Sequence, residues 1–446
     1  MKNDLTQGGI LKTLVMFSKP LVLSGLLQQL YNWADAFIVG NVEGELPLAA
    51  IGATGSISAL LVMIITGFTV GIAIVAAHLY GAGKKDRITY VLSSFSLTLG
   101  GFFLVAAVAG ILFTPSILRL LNTPDDIFSL ACEYLRIIFV GVPFIVVYNV
   151  HASVLRGMGD SRAPFFAIVV SALANVLLDL LLVAVYRYGV AGAAVATVVS
   201  QVMMTLFVVV YSNRKYPFLL FNIEKKAIDR NALIQGLRLS IPTATQSSVH
   251  SVGNLVLQNF MNGFGTQTVA AITTAYRIDT IIMLPLNNLG EGISTVTAQN
   301  IGAGNRKRAK KSLLVGIMLT AAVALALTAL VIPTGGSLIA MFGVRSEAVE
   351  IGKKFFHIIA VFYLPYGVAM ALRGYLQGIG DVVFSAILSL TSLVVRIVLS
   401  YAFWERTGNA IIAYAEAVSW MVLLIMCLIR FLQVSRSCRV VEDVVI

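Results

Sequence analysis

Charged residues are scarce in this chain. Asp, Glu, Lys and Arg make up 12% of its 446 residues against 58% hydrophobic ones, and a mean hydropathy of +0.89 lies far from that of a water-soluble domain. Cysteine is scarcer still: Cys132, Cys427 and Cys438 are too few and too scattered for a disulfide framework. With only four histidines, His78 and His151 standing alone without ligand spacing, no metal cluster is expected. The chain has no GxxxxGK[ST] loop, so ATP hydrolysis would need a separate subunit. HExxH, a paired catalytic Asp motif and a Ser-His arrangement are absent too, which argues against an intramembrane enzyme and leaves no cofactor to expect.

What the chain has instead is long apolar runs. Twelve segments, at about 12–40, 48–79, 90–113, 131–155, 163–186, 189–211, 236–262, 268–300, 312–333, 350–379, 382–404 and 410–433, are long enough to cross a bilayer as helices. The expected fold class is therefore an all-α integral membrane protein. The first segment is too long for a signal-peptide core and contains Lys19 and Pro20, so it is expected to be retained. Of the 32 Lys and Arg, 23 fall on the side that holds both termini and the even-numbered connections. The positive-inside rule puts that side, with both termini, in the cytoplasm, and the expected location is the plasma (inner) membrane. The net charge of +11 then needs lipid headgroups and no nucleic acid.

The chain repeats itself at a shift of 221 residues. Gly81, Ala82, Gly83 and Arg87 meet Gly302, Ala303, Gly304 and Arg308, and Leu155, Gly157, Gly159 and Asp160 meet Leu376, Gly378, Gly380 and Asp381. Two six-helix lobes in the same orientation are the economical reading, at 1–213 and 236–434, with a basic linker at 214–235 and a cytoplasmic tail at 435–446. The stretch Arg214 to Arg238 could form an interfacial helix and is the candidate hinge between the lobes.

Asp35 lies in an apolar segment, where a charge costs about 2.5–3.5 kcal/mol on insertion scales and persists when the interior uses it. The first and fifth segments both run outward, which places Asp35 and Asp179 at one depth near their outer ends. Asn175 is four residues before Asp179, on the same helix face, and Thr197 lies eight residues into the sixth segment. Two carboxylates, an amide and a hydroxyl can converge there, a hard-oxygen set suited to a proton or Na⁺. If the acids meet, their repulsion favours holding one proton. The second half does not repeat this chemistry: Asn175 meets Arg396, Asp179 meets Ser400 and Asp35 meets Val256.

The motifs QQLYNWADAFIVG and LAAIGA, the loops GAGKKDR and LRGMGDSR, and the second-half AAITTAYRID, AQNIGAGNRKR and LQGIGD resemble those of multidrug and toxic compound extrusion (MATE) transporters, in particular the DinF-like prokaryotic branch. The resemblance covers about residues 10 to 430. It implies a V-shaped pair of six-helix bundles and ion-coupled export of organic cations or amphiphiles. It also implies a coupling-cation site at Asp35, Asn175, Asp179 and Thr197. In another branch a helix 7 Glu serves the second lobe; the matching position here is His250, a departure that weakens any ion site in that lobe.

Tyr31, Asn32, His250, Arg277, Asp279, Glu291, Arg396 and Glu416 are candidate cavity or substrate residues; Arg277, Asp279, Arg396 and Glu416 could equally be structural ion pairs. Pro20, fifteen residues before Asp35, is the candidate hinge of the first helix. The glycine loops read as tight cytoplasmic turns with Arg and Lys at the headgroups. The expected partners are cationic or amphiphilic small molecules and membrane lipids, and the expected state is a functional monomer. The rival reading is a flippase for lipid-linked precursors, whose anionic cargo calls for Arg and Lys where this chain presents Asp35 and Asp179. A passive channel fits less well with buried acids in one lobe only.

Overall fold

The computed structural model describes residues 4–220 and 229–436, and every described element is helical. The tail beyond Arg436, with Cys438, and residues 221–228 of the mixed-charge linker lie outside the described residues. In the first half, α1 spans Ile10–Val42, α2 Glu45–Gly81, α3 Lys85–Leu120, α4 Asp125–Gly157, α5 Arg162–Asp179 and α6 Gly189–Lys215. In the second, α7 spans Arg230–Asn262, α8 Thr266–Gly302, α9 Arg306–Ala340, α10 Ser346–Ile359, α11 Tyr363–Gly378, α12 Val382–Thr407 and α13 Ile411–Arg436. A 3₁₀ turn, Ala360–Phe362, joins α10 to α11, so the two form one crossing.

Among the described residues, ten stretches are long and apolar enough to cross a membrane. The last of these, Val382–Arg436, holds two crossings, and α7, with its Thr, Ser, Gln and His residues, is long enough but too polar to be counted by composition. The total is twelve. Large apolar side chains such as Phe37, Val105, Leu112 and Met318 stand exposed on the helix surfaces, as they can where lipid rather than water is the solvent.

The repeat seen in the sequence recurs in the backbone. Left-handed residues at Gly44, Gly83, Asn122, Gly159 and Arg187 return 221 positions later as Gly265, Gly304, Gly343, Gly380 and Gly408. Close helix approaches repeat as well. A Cβ on Gly157 would stand 2.6 Å from the Ala73 carbonyl oxygen, and one on Gly378 2.5 Å from that of Ser294, so only glycine lets α4 meet α2 and α11 meet α8 at these points.

Two compact units result, Lys19–Ser240 and Met1–Ser18 with Ile241–Ile446. In the first unit α4 packs against α2, α3 and α6; in the second, α11 packs against α8, α9 and α13 in the same pattern. The units do not follow the chain halves at their edges. The start of the chain belongs to the second unit, where Arg308 donates to the carbonyls of Gln7 (2.8 Å) and Gly8 (2.9 Å). The start of α7 belongs to the first, where Ser240 donates to the Phe68 carbonyl (2.6 Å).

Both described ends of the linker are likewise fastened to the first unit. Thr89 donates to the Phe218 carbonyl, and the Asp229 amide donates to Ser94 Oγ at 3.0 Å. The chain changes unit inside α1 and inside α7, one or two residues before Pro20 and Pro242. Those points, rather than the described linker residues, are where the backbone passes from one unit to the other. Each proline removes a hydrogen bond from its helix there.

Candidate functional site

The first unit carries its acids where regular helix ends. Asp35 lies seven residues before the end of α1 and is half-buried. Asp179 is the last residue of α5 and is fully buried; directly after it the helix widens into a π turn, Leu180–Val185, with the Tyr186 amide bonding back to the Leu181 carbonyl at 2.9 Å. Such insertions concentrate at functional sites because they turn a helix without breaking it. Its repeat partner α12 runs as a regular helix, so the widening belongs to the lobe with the acids.

The carboxyls of Asp35 and Asp179 are close enough to share a hydrogen bond once one of them carries a proton. Asn175, one turn before Asp179, is buried on the same helix face. Oδ1 of Asp35, both carboxyl oxygens of Asp179 and Oδ1 of Asn175 are buried and accept no hydrogen bond from any described residue. Four acceptor oxygens without a donor are a costly arrangement in a membrane interior. They fit a proton or a small hard cation, either of which supplies the missing positive charge.

Just past them along the chain, an apolar cluster of Val39, Val183, Val190, Ala193 and Ala194 packs α1, the π turn after α5 and α6 together. Thr197, on α6, is half-buried and makes no hydrogen bond to either acid. Tyr31, one turn before Asp35, is near its carboxyl, whereas Asn32 is exposed. Sequence reasoning passed over Tyr134 of α4, which is buried within electrostatic reach of Asp35, Asp179 and Tyr31. Its signal was a phenol inside an apolar helix, where the hydroxyl demands polar company.

The second unit gathers a different set. Arg396 Nη2 donates to Glu416 Oε2 at 3.0 Å and to the Tyr276 hydroxyl at 2.6 Å, and the Tyr363 hydroxyl donates to Asp279 Oδ1 at 2.8 Å. Three of the four charges read from the sequence thus meet, while Arg277 is exposed and stands apart. Glu291 is exposed as well. His250 lies near Arg373 of α11, whose guanidinium donates to Gln246 Oε1 at 3.2 Å. Tyr276 and Tyr363 were not singled out from sequence, and the same phenol-in-apolar-helix signal marks them.

Twelve crossings in two repeated units, with donorless acids buried in one of them, define the class: a membrane transporter. A family model described as MatE matches residues 20–181 and 242–402, its two parts beginning on Pro20 and Pro242. The chain belongs to the MatE family and is a transporter, not an enzyme.

It is 31% identical over 391 residues, 87% of each chain, to the probable multidrug resistance protein YpnP of Bacillus subtilis (strain 168). It is 27% identical over 380 residues, 84% of this chain and 83% of the relative, to the multidrug export protein MepA of Staphylococcus haemolyticus (strain JCSC1435). Its fold matches that of a multidrug resistance MATE family transporter of the MOP superfamily, solved in an outward-facing conformation, with a TM-score of 0.90 at 24% identity, over 98% of this chain and 99% of the other.

Proposed function

We propose that this chain exports cationic or amphiphilic small molecules across the plasma membrane in exchange for a proton, by alternating access, with both termini in the cytoplasm. The observation that carries this reading is the cluster of four buried oxygens on Asp35, Asn175 and Asp179 that no donor of the chain satisfies. One proton shared between two adjacent carboxyls removes the repulsion and supplies a donor in one step. Na⁺ would instead need a fuller oxygen shell, to which Thr197 is the candidate addition.

An ion can drive export only if it binds one conformation better than the other. In this scheme a proton arriving from outside neutralises the acid pair and disfavours the substrate-loaded outward state, so substrate leaves as the ion enters. Pro20, beside the point where α1 changes unit, lets the upper part of α1 move with Asp35. Paired acids in the first unit also suit cationic cargo better than the anionic headgroups of lipid-linked precursors.

The test is accumulation of ethidium in inside-out vesicles under separately imposed pH and Na⁺ gradients, for the native chain and Asp35→Asn. Proton-driven uptake that disappears in the variant is the expected result. Uptake driven by Na⁺ alone would reassign the ion, and no uptake under either gradient by folded protein would refute coupled export.

A further inference from the structure

One buried cluster of the second unit holds two acids and a single guanidinium among the described residues. Asp279 and Glu416 are both buried, at 7% and 6% exposure, and among the described residues Arg396 is the one guanidinium that bonds within their cluster. Arg396 is committed to Glu416 and to the Tyr276 hydroxyl, and its guanidinium also lies over the Tyr276 ring at 5.4 Å. Arg277, two residues before Asp279, is exposed, and Arg373 is turned to Gln246, so neither pairs with the second carboxyl.

Two charged groups and three phenols face Asp279. Tyr363 and Tyr366 approach from α11, Arg396 from α12, Glu416 from α13 and Tyr276 from its own helix. The residues of α9 and α10 in the surrounding core are apolar, among them Ala324, Val331, Phe355 and Phe356. With both acids ionised the cluster holds one uncompensated charge in a low-dielectric interior, which is strongly unfavourable. One proton removes it.

The hydrogen bond that marks Asp279 also ties it to a weak point of the fold. Tyr363 is the first residue of α11, directly after the 3₁₀ turn Ala360–Phe362 that interrupts the tenth crossing. The repeat-related helix α4 runs through the matching positions unbroken. An ionised Asp279 can only accept from Tyr363, whereas a protonated one can also donate, so the proton changes which bonds hold the broken crossing against α8.

Resting on the proton-coupled reading above, we propose that Asp279 is a proton-binding site of the second unit, separate from the Asp35–Asp179 pair. It loads and unloads once per transport cycle, and Tyr363 passes the change to the break in the tenth crossing. The chain then moves protons through both units by unlike chemistry: two acids without a fixed cation in the first, two acids and one guanidinium in the second.

Infrared difference spectra of the purified full-length protein across an acidifying pH jump test this directly, because a protonated carboxyl has its own stretching band. The expected native spectrum has two carboxyl components. Asp35→Asn removes one and Asp279→Asn the other, while Tyr363→Phe, with Asp279 intact, shifts the Asp279 component in frequency. The same variants in proteoliposomes report protons moved per substrate, and Asp279→Asn is expected to lower that ratio.

A spectrum unchanged by Asp279→Asn would overturn the proposal. So would loss of the band with an unchanged proton-to-substrate ratio. If Asp279→Asn does not fold, Tyr363→Phe decides, and an unshifted band counts against it. Should Asp35→Asn alone leave spectrum and transport untouched while Asp279→Asn alters both, the first-unit reading falls and this one stands.

Discussion

Lys215 Nζ lies 2.7 Å from Asp160 Oδ2. The same carboxyl accepts from the hydroxyls of Tyr216 (2.8 Å) and Tyr211 (3.2 Å), so the turn between α4 and α5 is clamped to the end of α6. In the second unit Asp381 is clamped to α13 by Arg430, whose Nε stands 2.7 Å from Oδ2 and whose guanidinium lies 3.5 Å over the Phe384 ring. The two aspartates are related by the repeat; the two cations are not. Each unit thus clamps the same repeat position with a different cation. These aspartates therefore hold the glycine turns to a neighbouring helix, a role beyond that of tight turns with basic residues at the headgroups.

Acid is expected to loosen the first clamp. Burial pushes the Asp160 carboxyl up, but hydrogen bonds from Lys215 and Tyr216 and the Lys215 charge outweigh it and hold the group below its ordinary value of 3.8. A carboxyl depressed on folding stabilises above its unfolded value and loses that stabilisation as pH falls through its folded one. Asp160→Asn should cost about 1–3 kcal/mol near neutrality, mostly from hydrogen bonds to a buried carboxylate. Lys215 is 43% exposed, so the ion pair itself supplies under about 1 kcal/mol. Thermal unfolding of both proteins against pH should show the difference shrinking below the ordinary Asp value.

The acid pair of the first unit should act as one device. Asp179→Asn and Asp35→Asn are each expected to abolish ion-driven accumulation, and the double variant should be no worse than either single one, because neighbours in one network are not additive. Ethidium binding to the purified variants, followed by fluorescence, should persist. Loss of binding together with transport would instead place the acids in substrate recognition.

Glu416 should become a liability without its partner. Arg396→Met leaves the buried Glu416 carboxylate beside Tyr276 and Asp279 with no cation and is expected to cost about 3–5 kcal/mol. Adding Glu416→Leu should recover most of that loss. The comparison is the melting temperature of single and double variants in one detergent; a double variant as unstable as the single would show that packing, not charge, dominates.

Close packing at Gly157 leaves no room for a side chain. Gly157→Leu forces α4 away from the Ala73 carbonyl and should destabilise the first unit by more than about 2 kcal/mol. Expression level and melting temperature report it, with Gly83→Leu excluded as a control because its positive φ adds strain of its own.

Pro20→Ala restores the hydrogen bond that Pro20 denies α1. If the crossover point bends during the cycle, turnover should fall while the ion requirement persists. Transport rates indistinguishable from native would remove Pro20 from the mechanism.

Much of this protein was legible without coordinates. Hydrophobic length set the crossings, and the 221-residue repeat set two like units, because glycine turns can be satisfied by few other residues. Asp35, Asn175 and Asp179 announced themselves because a polar group in an apolar helix is costly enough to need a reason.

Tertiary structure alone decided the partners. No periodicity says that Asp279 meets Tyr363 from 84 positions away, that Arg396 chooses Glu416 over Asp279, or that Arg373 turns inward to Gln246. Nor does composition reveal that α1 and α7 each belong to two units, since the crossover lies inside uninterrupted helices rather than in the linker. Sequence patterns record which surfaces must be buried, whereas which buried polar groups satisfy one another depends on the packing angles and close approaches that bring distant helices into contact.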